Sequence, residues 1–151
     1  STGTIEADKT LADKLGVAVG APLLRMQRVR LIEGEPASIE TAHVNLSLCP
    51  SLIEHDFECE SLYDVLLKEG GVRVEHGREH ISISRLNAEE AELLQQEEGT
   101  PVFYESTIEL DKDMRFVEHC KSVILPTKFR FADNGEENGM RSVAGEQWLK
   151  Q

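Results

Sequence analysis

Several things are scarce in this chain, and each scarcity excludes a class of function. There are only three cysteines, Cys49, Cys59 and Cys120, an odd number without CxxC spacing. That favours reduced thiols in a cytoplasmic protein over a disulfide framework. No apolar run reaches membrane-spanning length and no secretory leader opens the chain, so no membrane association is expected. Basic residues are few, 16 against 28 acidic ones, leaving a formal net charge of -12. Nucleic-acid affinity is mostly phosphate neutralisation by Lys and Arg, so the chain by itself is expected not to bind duplex DNA. Enzyme signatures are missing too: there is no GxSxG elbow, no P-loop and no GxGxxG after a strand. His43, His55, His76, His80 and His119 lack metal-ligand spacing, so neither a metal nor a cofactor is expected.

What the chain does have is a repeat. Leu11-Ala12-Asp13-Lys14-Leu15, Gly20-Ala21-Pro22 and a strand-like run over 23–32 form a first copy. The run 88–94, Gly99-Thr100-Pro101 and a strand-like run over 102–110 form a second. With the two prolines superposed, Ala12 meets Ala91, Leu15 meets Leu94, Gly20 meets Gly99 and Leu31 meets Leu110. Each copy then turns through a polar loop and returns, carrying Glu40 in the first and Glu118 in the second. A repeat about half the chain long implies two helix–hairpin units related by a pseudo-two-fold, not a solenoid of short periods. Interfaces between such units are where small-molecule sites tend to form, so the duplication points to a ligand-binding core.

The local patterns fill in the rest. Residues 8–15 read as a short helix stopped by Gly16, and 50–55 as a helical turn. Ser61 is the expected N-cap of a helix with Leu62, Val65 and Leu66 on its apolar stripe, ended by Gly70-Gly71. A long strand is expected over 72–84 with an irregularity at Gly77, then a capping-box helix from Asn87 to about Gln96. Hairpins run over 23–46 around Glu33-Gly34-Glu35-Pro36 and over 102–125 around Asp111-Lys112-Asp113, with a short strand at 128–131. Residues 132–151 are poor in apolar side chains and read as a mobile C-terminal tail, which leaves 1–131 as the folded domain. The opening Ser1-Thr2-Gly3 reads as a cut edge. The sum is an α+β fold, an antiparallel sheet with helices mainly on one face.

Charged residues fall on the wrong side of two strands. Strand side chains alternate, and Leu24, Met26 and Ile32 share a face with Arg28 and Arg30, as Ala42, Val44 and Leu46 do with Glu40. A buried charge costs several kcal/mol unless paired and hydrogen-bonded. One reading is a structural Arg–Glu pair across the hairpin. The other is that an arginine is kept for bidentate binding of an anionic ligand. Glu118 repeats the pattern, sharing parity with Phe116, Cys120 and Ile124. Ser61 either caps its helix or holds an anion at the helix N-terminus, beside the acidic Glu58, Glu60 and Asp64.

The ordered set Gly20-Ala21-Pro22-Leu23-Leu24, Arg28-Val29-Arg30, Gly34-Glu35-Pro36, Ile39-Glu40, Ser61-Leu62-Tyr63, Gly99-Thr100-Pro101 and Phe116-Val117-Glu118-His119 resembles the UTRA domain. That domain is the effector-sensing module of the histidine-utilisation-type subfamily of GntR-family bacterial transcription regulators. The resemblance covers about residues 8–131. It implies a chorismate-lyase-like fold, a homodimer, and a winged-helix DNA-binding domain that normally precedes the module and is not in this chain. On that reading the chain is the sensor half of a repressor. The resemblance further implies that Arg28, Arg30 and Ser61 approach the phosphate of a phosphorylated amino sugar, while Glu40 and Glu118 approach the sugar. Tyr63, from the same motif as Ser61, is counted with them.

Two departures stand out: Ile124 where relatives carry tyrosine, and Thr127-Lys128-Phe129 where they carry Asp-Arg-Tyr. The missing phenol makes that end of the site more apolar, so the expected effector is a small anionic metabolite, a sugar phosphate or a carboxylate. The alternatives are a chorismate-lyase-type enzyme acting on a small carboxylate, and a dimerisation module without a ligand.

Overall fold

The computed structural model describes residues 1–133, 138–142 and 146–148. Strand β1 (Thr2–Glu6), helix α1 (Lys9–Leu15), β2 (Pro22–Ile32) and β3 (Glu35–Asn45) come first. A 3-10 turn (Pro50–Glu54) and helix α2 (Leu62–Gly70) follow. Strand β4 (Val74–Arg85), helix α3 (Ala88–Leu94), β5 (Pro101–Asp111) and β6 (Phe116–Ile124) then repeat the opening order.

The repeat extends to individual backbone hydrogen bonds. The Ala7 amide donates to the Ala21 carbonyl at 2.9 Å and the Gly20 amide to the Ala7 carbonyl at 2.8 Å. At the same spacing, the Leu86 amide donates to the Thr100 carbonyl at 3.0 Å and the Gly99 amide to the Leu86 carbonyl at 2.8 Å. Gly20 and Gly99 sit at φ of 83° and 82°, left-handed backbone that glycine enters without a Cβ penalty. That is the physical reason a glycine recurs two residues before each proline. The helix starts match as well: the Asp8 carboxylate accepts from the Leu11 amide and the Asn87 side chain from the Glu90 amide, both at 2.8 Å. Glu90 completes a capping box by accepting from the Asn87 amide at 3.1 Å.

The main sheet runs β1-β2-β3-β6-β5-β4. Strand β1 lies antiparallel to β2, with Thr2 opposite Met26 and Glu6 opposite Pro22. Beyond it β9 (Glu146–Trp148) pairs with the end of β2, Arg30 opposite Trp148. Strands β7 (Phe129–Asp133) and β8 (Asn138–Ser142) form a separate antiparallel pair. The composition of residues 132–151 predicts a mobile tail; its described segments, the end of β7, β8 and β9, are strands, and the rest of that span lies outside the described residues. A ladder satisfies backbone N–H and C=O groups whatever the side chains, so polarity alone does not forbid it.

The chain divides into two compact units, one of residues 1–26, 42–79 and 106–120 and the other of residues 27–41, 80–105 and 121–151. In the first, Ala12 and Leu15 of α1 pack with Ala7, Leu23 and Phe116. Val65 and Leu66 of α2 pack with Leu24, Met26, Ala42, Val44 and Val117. In the second, Ala91 and Leu94 of α3 pack with Val29, Ile39, Val102 and Val123, and a smaller cluster joins Ile32, Ala37, Ile124 and Phe129. In the first unit Leu23 of β2 thus meets α1 while Leu24 and Met26 meet α2, and in the second Val29 meets α3. The fold is α+β, an antiparallel sheet with helices mainly on one face, as the patterning predicts.

The β5–β6 loop is built around one buried acid. The Asp111 carboxylate accepts from the backbone amides of Asp113 and Arg115, each at 2.9 Å, and from the Arg115 side chain at 2.7 Å. Burial works against its charge, but these bonds outweigh that and hold the carboxyl below its ordinary range.

Candidate functional site

Two clusters of charged side chains stand out, one in each unit. In the second unit, Arg28 and Arg30 from β2 converge on Glu40 from β3. One nitrogen of Arg30 lies 3.3 Å from a Glu40 oxygen and one of Arg28 lies 3.6 Å from the other oxygen. Alternation puts both arginines on one side of β2, and the hairpin brings Glu40 across from them. The side chains of Arg30 and Glu40 are 22% and 19% exposed and that of Arg28 is 39% exposed, so screening by water weakens the Arg28 contact most. In the same unit Lys121 bonds Glu90 at 3.2 Å and stands 5.4 Å from the centre of the Tyr104 ring.

In the first unit, the Tyr63 hydroxyl of α2 donates to Glu118 of β6 at 2.6 Å. Glu118 is buried and Tyr63 half-exposed. Burial, and then the charge of Glu118, push the phenol well above its ordinary value, so Tyr63 stays a donor at any physiological pH. Val117 packs in the α2 cluster while its neighbour Glu118 also reaches α2, so strict alternation does not hold here.

Glu109 of β5 belongs to the same unit. Burial first and the Glu79 charge second raise its carboxyl above the usual range. Its carboxylate lies over Gly77, where an added Cβ would sit 2.8 Å from a Glu109 oxygen. Strand β4 runs unbroken through Gly77, where the sequence leads one to expect an irregularity; the missing side chain instead allows close approach of an acid to bare backbone.

Ser61 caps α2, its hydroxyl accepting from the Asp64 amide at 3.4 Å. It lines a cleft of about 240 Å3 with His55, Glu60, Asp64, Lys68 and Glu69. His55 bridges that cleft, with one ring nitrogen 2.9 Å from Glu60 and the other 2.9 Å from Glu69, and Ser51 also donates to Glu69. Those carboxylates raise the imidazole above its ordinary value. Elsewhere in this unit the rings of His43 and His119 stack, with centroids 6.0 Å apart and planes at 13°. Burial, helped by Arg25 and Lys14, lowers His43.

Of the six residues singled out from the sequence, the structure brings together Arg28, Arg30 and Glu40 in one unit and Tyr63 with Glu118 in the other. Ser61 performs the capping role. Sequence reasoning missed Glu109, although a signal was present: at the Pro22-to-Pro101 spacing, Glu109 occupies the position equivalent to Arg30. It also missed the His55 bridge, one of whose partners is only five residues away, and the His43–His119 stack, which joins residues far apart in the chain. Among the described residues no cluster of His, Cys, Asp or Glu is arranged to hold a metal, and no helix is long and apolar enough to cross a membrane.

Comparison with known proteins places this architecture. The family model described as the UTRA domain matches residues 1–130. The chain belongs to the UTRA domain family. Among curated relatives, the HTH-type transcriptional repressor PhnF of Mycolicibacterium smegmatis is 29% identical over 127 residues, covering 84% of this chain and 52% of PhnF. The HTH-type transcriptional repressor NagR of Bacillus subtilis is 29% identical over 128 residues, covering 84% of this chain and 52% of NagR. This UTRA domain thus spans about half the length of the curated relatives it matches. The crystal structure of the effector domain of PhnF from Mycobacterium smegmatis superposes with a TM-score of 0.76 at 29% identity, covering 87% of this chain and 81% of that one.

Proposed function

We propose that this UTRA domain is the effector-sensing and dimerising part of a cytoplasmic bacterial transcription repressor. A small anionic metabolite, a sugar phosphate or a carboxylate, binds it and alters DNA binding by a winged-helix domain outside this chain. The family and the names of the two repressors support the regulatory reading. The DNA-binding step belongs to another domain because the charge of -12 repels a duplex.

The observation that carries the ligand class is the convergence of Arg28 and Arg30 on Glu40. A guanidinium pair held by a shared carboxylate is preorganised for an anion with two oxygens, and preorganisation cuts the entropic cost of binding. The Tyr63 oxygen, its hydrogen given to Glu118, and the Glu118 carboxylate supply acceptors that suit a hydroxyl-bearing or amine-bearing ligand, and Ser61 offers a hydroxyl at a helix start.

The test is calorimetric titration with a panel of sugar phosphates and small carboxylates, then repetition with Arg28→Ala and Arg30→Ala. Loss of a bidentate arginine costs roughly 2–5 kcal/mol of binding when its partner charge is left unpaired. Equal affinity in wild type and both variants would return the arginines to a purely structural pair. A chorismate-lyase-type enzyme is the weaker reading, since the relatives are named as repressors; turnover of chorismate by the purified chain would revive it.

A further inference from the structure

A cleft of about 220 Å3 lies in the first unit, at the end of α2 away from Ser61. Three pieces of chain enclose it: the last turn of α2 with Leu67, the segment after that helix with Arg73 and Glu75, and the β5–β6 loop with Lys112 and Arg115. Pockets for drug-sized ligands run to about 300–1,000 Å3, so this one suits a small ion or one group of a larger molecule. Its lining is at odds with the chain as a whole. The sequence has 16 basic against 28 acidic residues, yet three cations line this cleft against two acids, Glu75 and Asp111.

One of those acids is already occupied. Asp111 accepts from the Asp113 and Arg115 amides and from Nε of Arg115 at 2.7 Å. Anchored through Nε, the Arg115 guanidinium keeps its two terminal nitrogens as donors. Asp113 approaches one of them to only 3.9 Å, too long for a hydrogen bond. A guanidinium fixed in this way loses less entropy on meeting an anion than a free one. Arg73 and Lys112 are exposed, and among the described residues neither side chain forms an ion pair or a hydrogen bond. Nor does α2 need Arg73 as a cap. The Gly71 amide donates to the Leu67 carbonyl at 3.2 Å and the Val72 amide to the Leu66 carbonyl at 3.0 Å, so backbone already closes that helix end. Three like charges around one small volume repel one another, and an anion among them relieves that repulsion.

We infer that this cleft binds a small oxyanion, a phosphate or a carboxylate, through Arg73, Lys112 and Arg115. Arg115 supplies a planar fork of donors held in place by Asp111. Lys112 adds charge from the same loop and Arg73 from the segment after α2. Glu75 opposes the anion, and water around the exposed cations screens them, so the affinity is modest. The site shares no residue with the Arg28, Arg30 and Glu40 cluster, so it goes beyond the effector reading and does not depend on it.

The experiment follows the amide NMR signals of the whole chain during titration with inorganic phosphate and, separately, malonate. Ionic strength is held constant so that general screening does not change. Saturating shifts at the Gly71, Lys112 and Arg115 amides are expected in the millimolar range. Arg73→Gln and Lys112→Gln should each weaken binding about threefold and the double variant about tenfold, while Glu75→Gln should tighten it about twofold, as befits exposed charges. Arg28→Ala should leave these shifts as they are, which separates this site from the proposed effector site. Tighter binding of phosphate than of malonate would make the natural ligand a phosphate, and the reverse order a carboxylate. Shifts at these amides that do not saturate with either anion, or that persist unchanged in the Arg73→Gln/Lys112→Gln double variant, would overturn the site.

Discussion

The Tyr63 hydroxyl donates to the Glu118 carboxylate across 2.6 Å and fastens the start of α2 to β6. Tyr63 is half-exposed, so its ring contributes little burial and the hydroxyl is the larger part of its role. Tyr63→Phe removes that donor from the buried Glu118 carboxylate. Hydrogen bonds to charged groups are worth about 1.5–3 kcal/mol, so a loss near the lower end is expected in urea unfolding. A loss below a few tenths would show that water replaces the phenol without penalty. In ligand titration, the same variant should weaken binding only for effectors that contact Glu118.

The duplicated caps make a matched pair of tests. Asp8→Ala and Asn87→Ala each delete the side chain that accepts from the first turn of a helix. Each should cost about 1 kcal/mol, and because Asn87→Ala keeps the backbone amide that donates to Glu90, the reciprocal half of its capping box survives and its loss should not exceed that of Asp8→Ala. Chemical denaturation of both variants checks this, and a clearly larger loss in Asn87→Ala would show that the Glu90 bond depends on the Asn87 side chain.

Much of this duplication was legible in the chain because it is written in residues with strong local meaning. Gly20 and Gly99 need left-handed backbone, Asp8 and Asn87 need free amides, and Ala12, Leu15, Ala91 and Leu94 keep helical spacing. Strand β1 was not legible: its residues are mostly exposed, so no apolar alternation marks it. Strands β8 and β9 escaped because their sequence carries little apolar signal. In the candidate site, the parity of Arg28, Arg30 and Glu40 was readable because a short hairpin joins their strands. The Tyr63–Glu118 bond was not, because it depends on where α2 lands on the sheet, and that is set by packing of Val65 and Leu66. Glu109 lay hidden in plain view at the position equivalent to Arg30.

His55 gives a pH dependence with a defined sign. Its two carboxylate partners raise the imidazole above 6.5, so the folded state holds the proton more tightly than the unfolded chain. The resulting stabilisation is complete below the unfolded value and is lost as pH rises through the raised folded value. Glu60 is held below its ordinary 4.5 by His55 first, and Glu69 by the Ser51 hydroxyl first and His55 second, so their share is lost as pH falls through their lowered values. The network should therefore contribute most between roughly pH 4.5 and 6.5. The Tm difference between wild type and His55→Gln should be largest near pH 5.5 and shrink by about pH 8. A difference that grows with pH would contradict the bridge.

Glu109 should respond in the opposite sense. Burial and the Glu79 charge raise its carboxyl, so the folded state binds this proton more readily than the unfolded chain. Its ionisation then opposes folding: stability falls as pH rises from the ordinary 4.5 through the raised folded value, and the deficit persists at neutral pH. Glu109→Gln keeps the shape over Gly77 while removing the charge, so it should raise Tm at pH 7, with the gain fading below about pH 4.5 as the wild-type carboxyl becomes protonated. Gly77→Ala should cost little by itself, because the atom its Cβ would meet at 2.8 Å is the carboxylate end of the flexible Glu109 side chain, which can shift. Combining the two substitutions separates sterics from charge. If the alanine costs as much in the Glu109→Gln background as in wild type, crowding accounts for it; if the cost falls, the alanine was also pressing the Glu109 carboxylate toward Glu79. A Glu109→Gln protein less stable than wild type at pH 7 would mean that Glu109 carries a favourable interaction outweighing its burial.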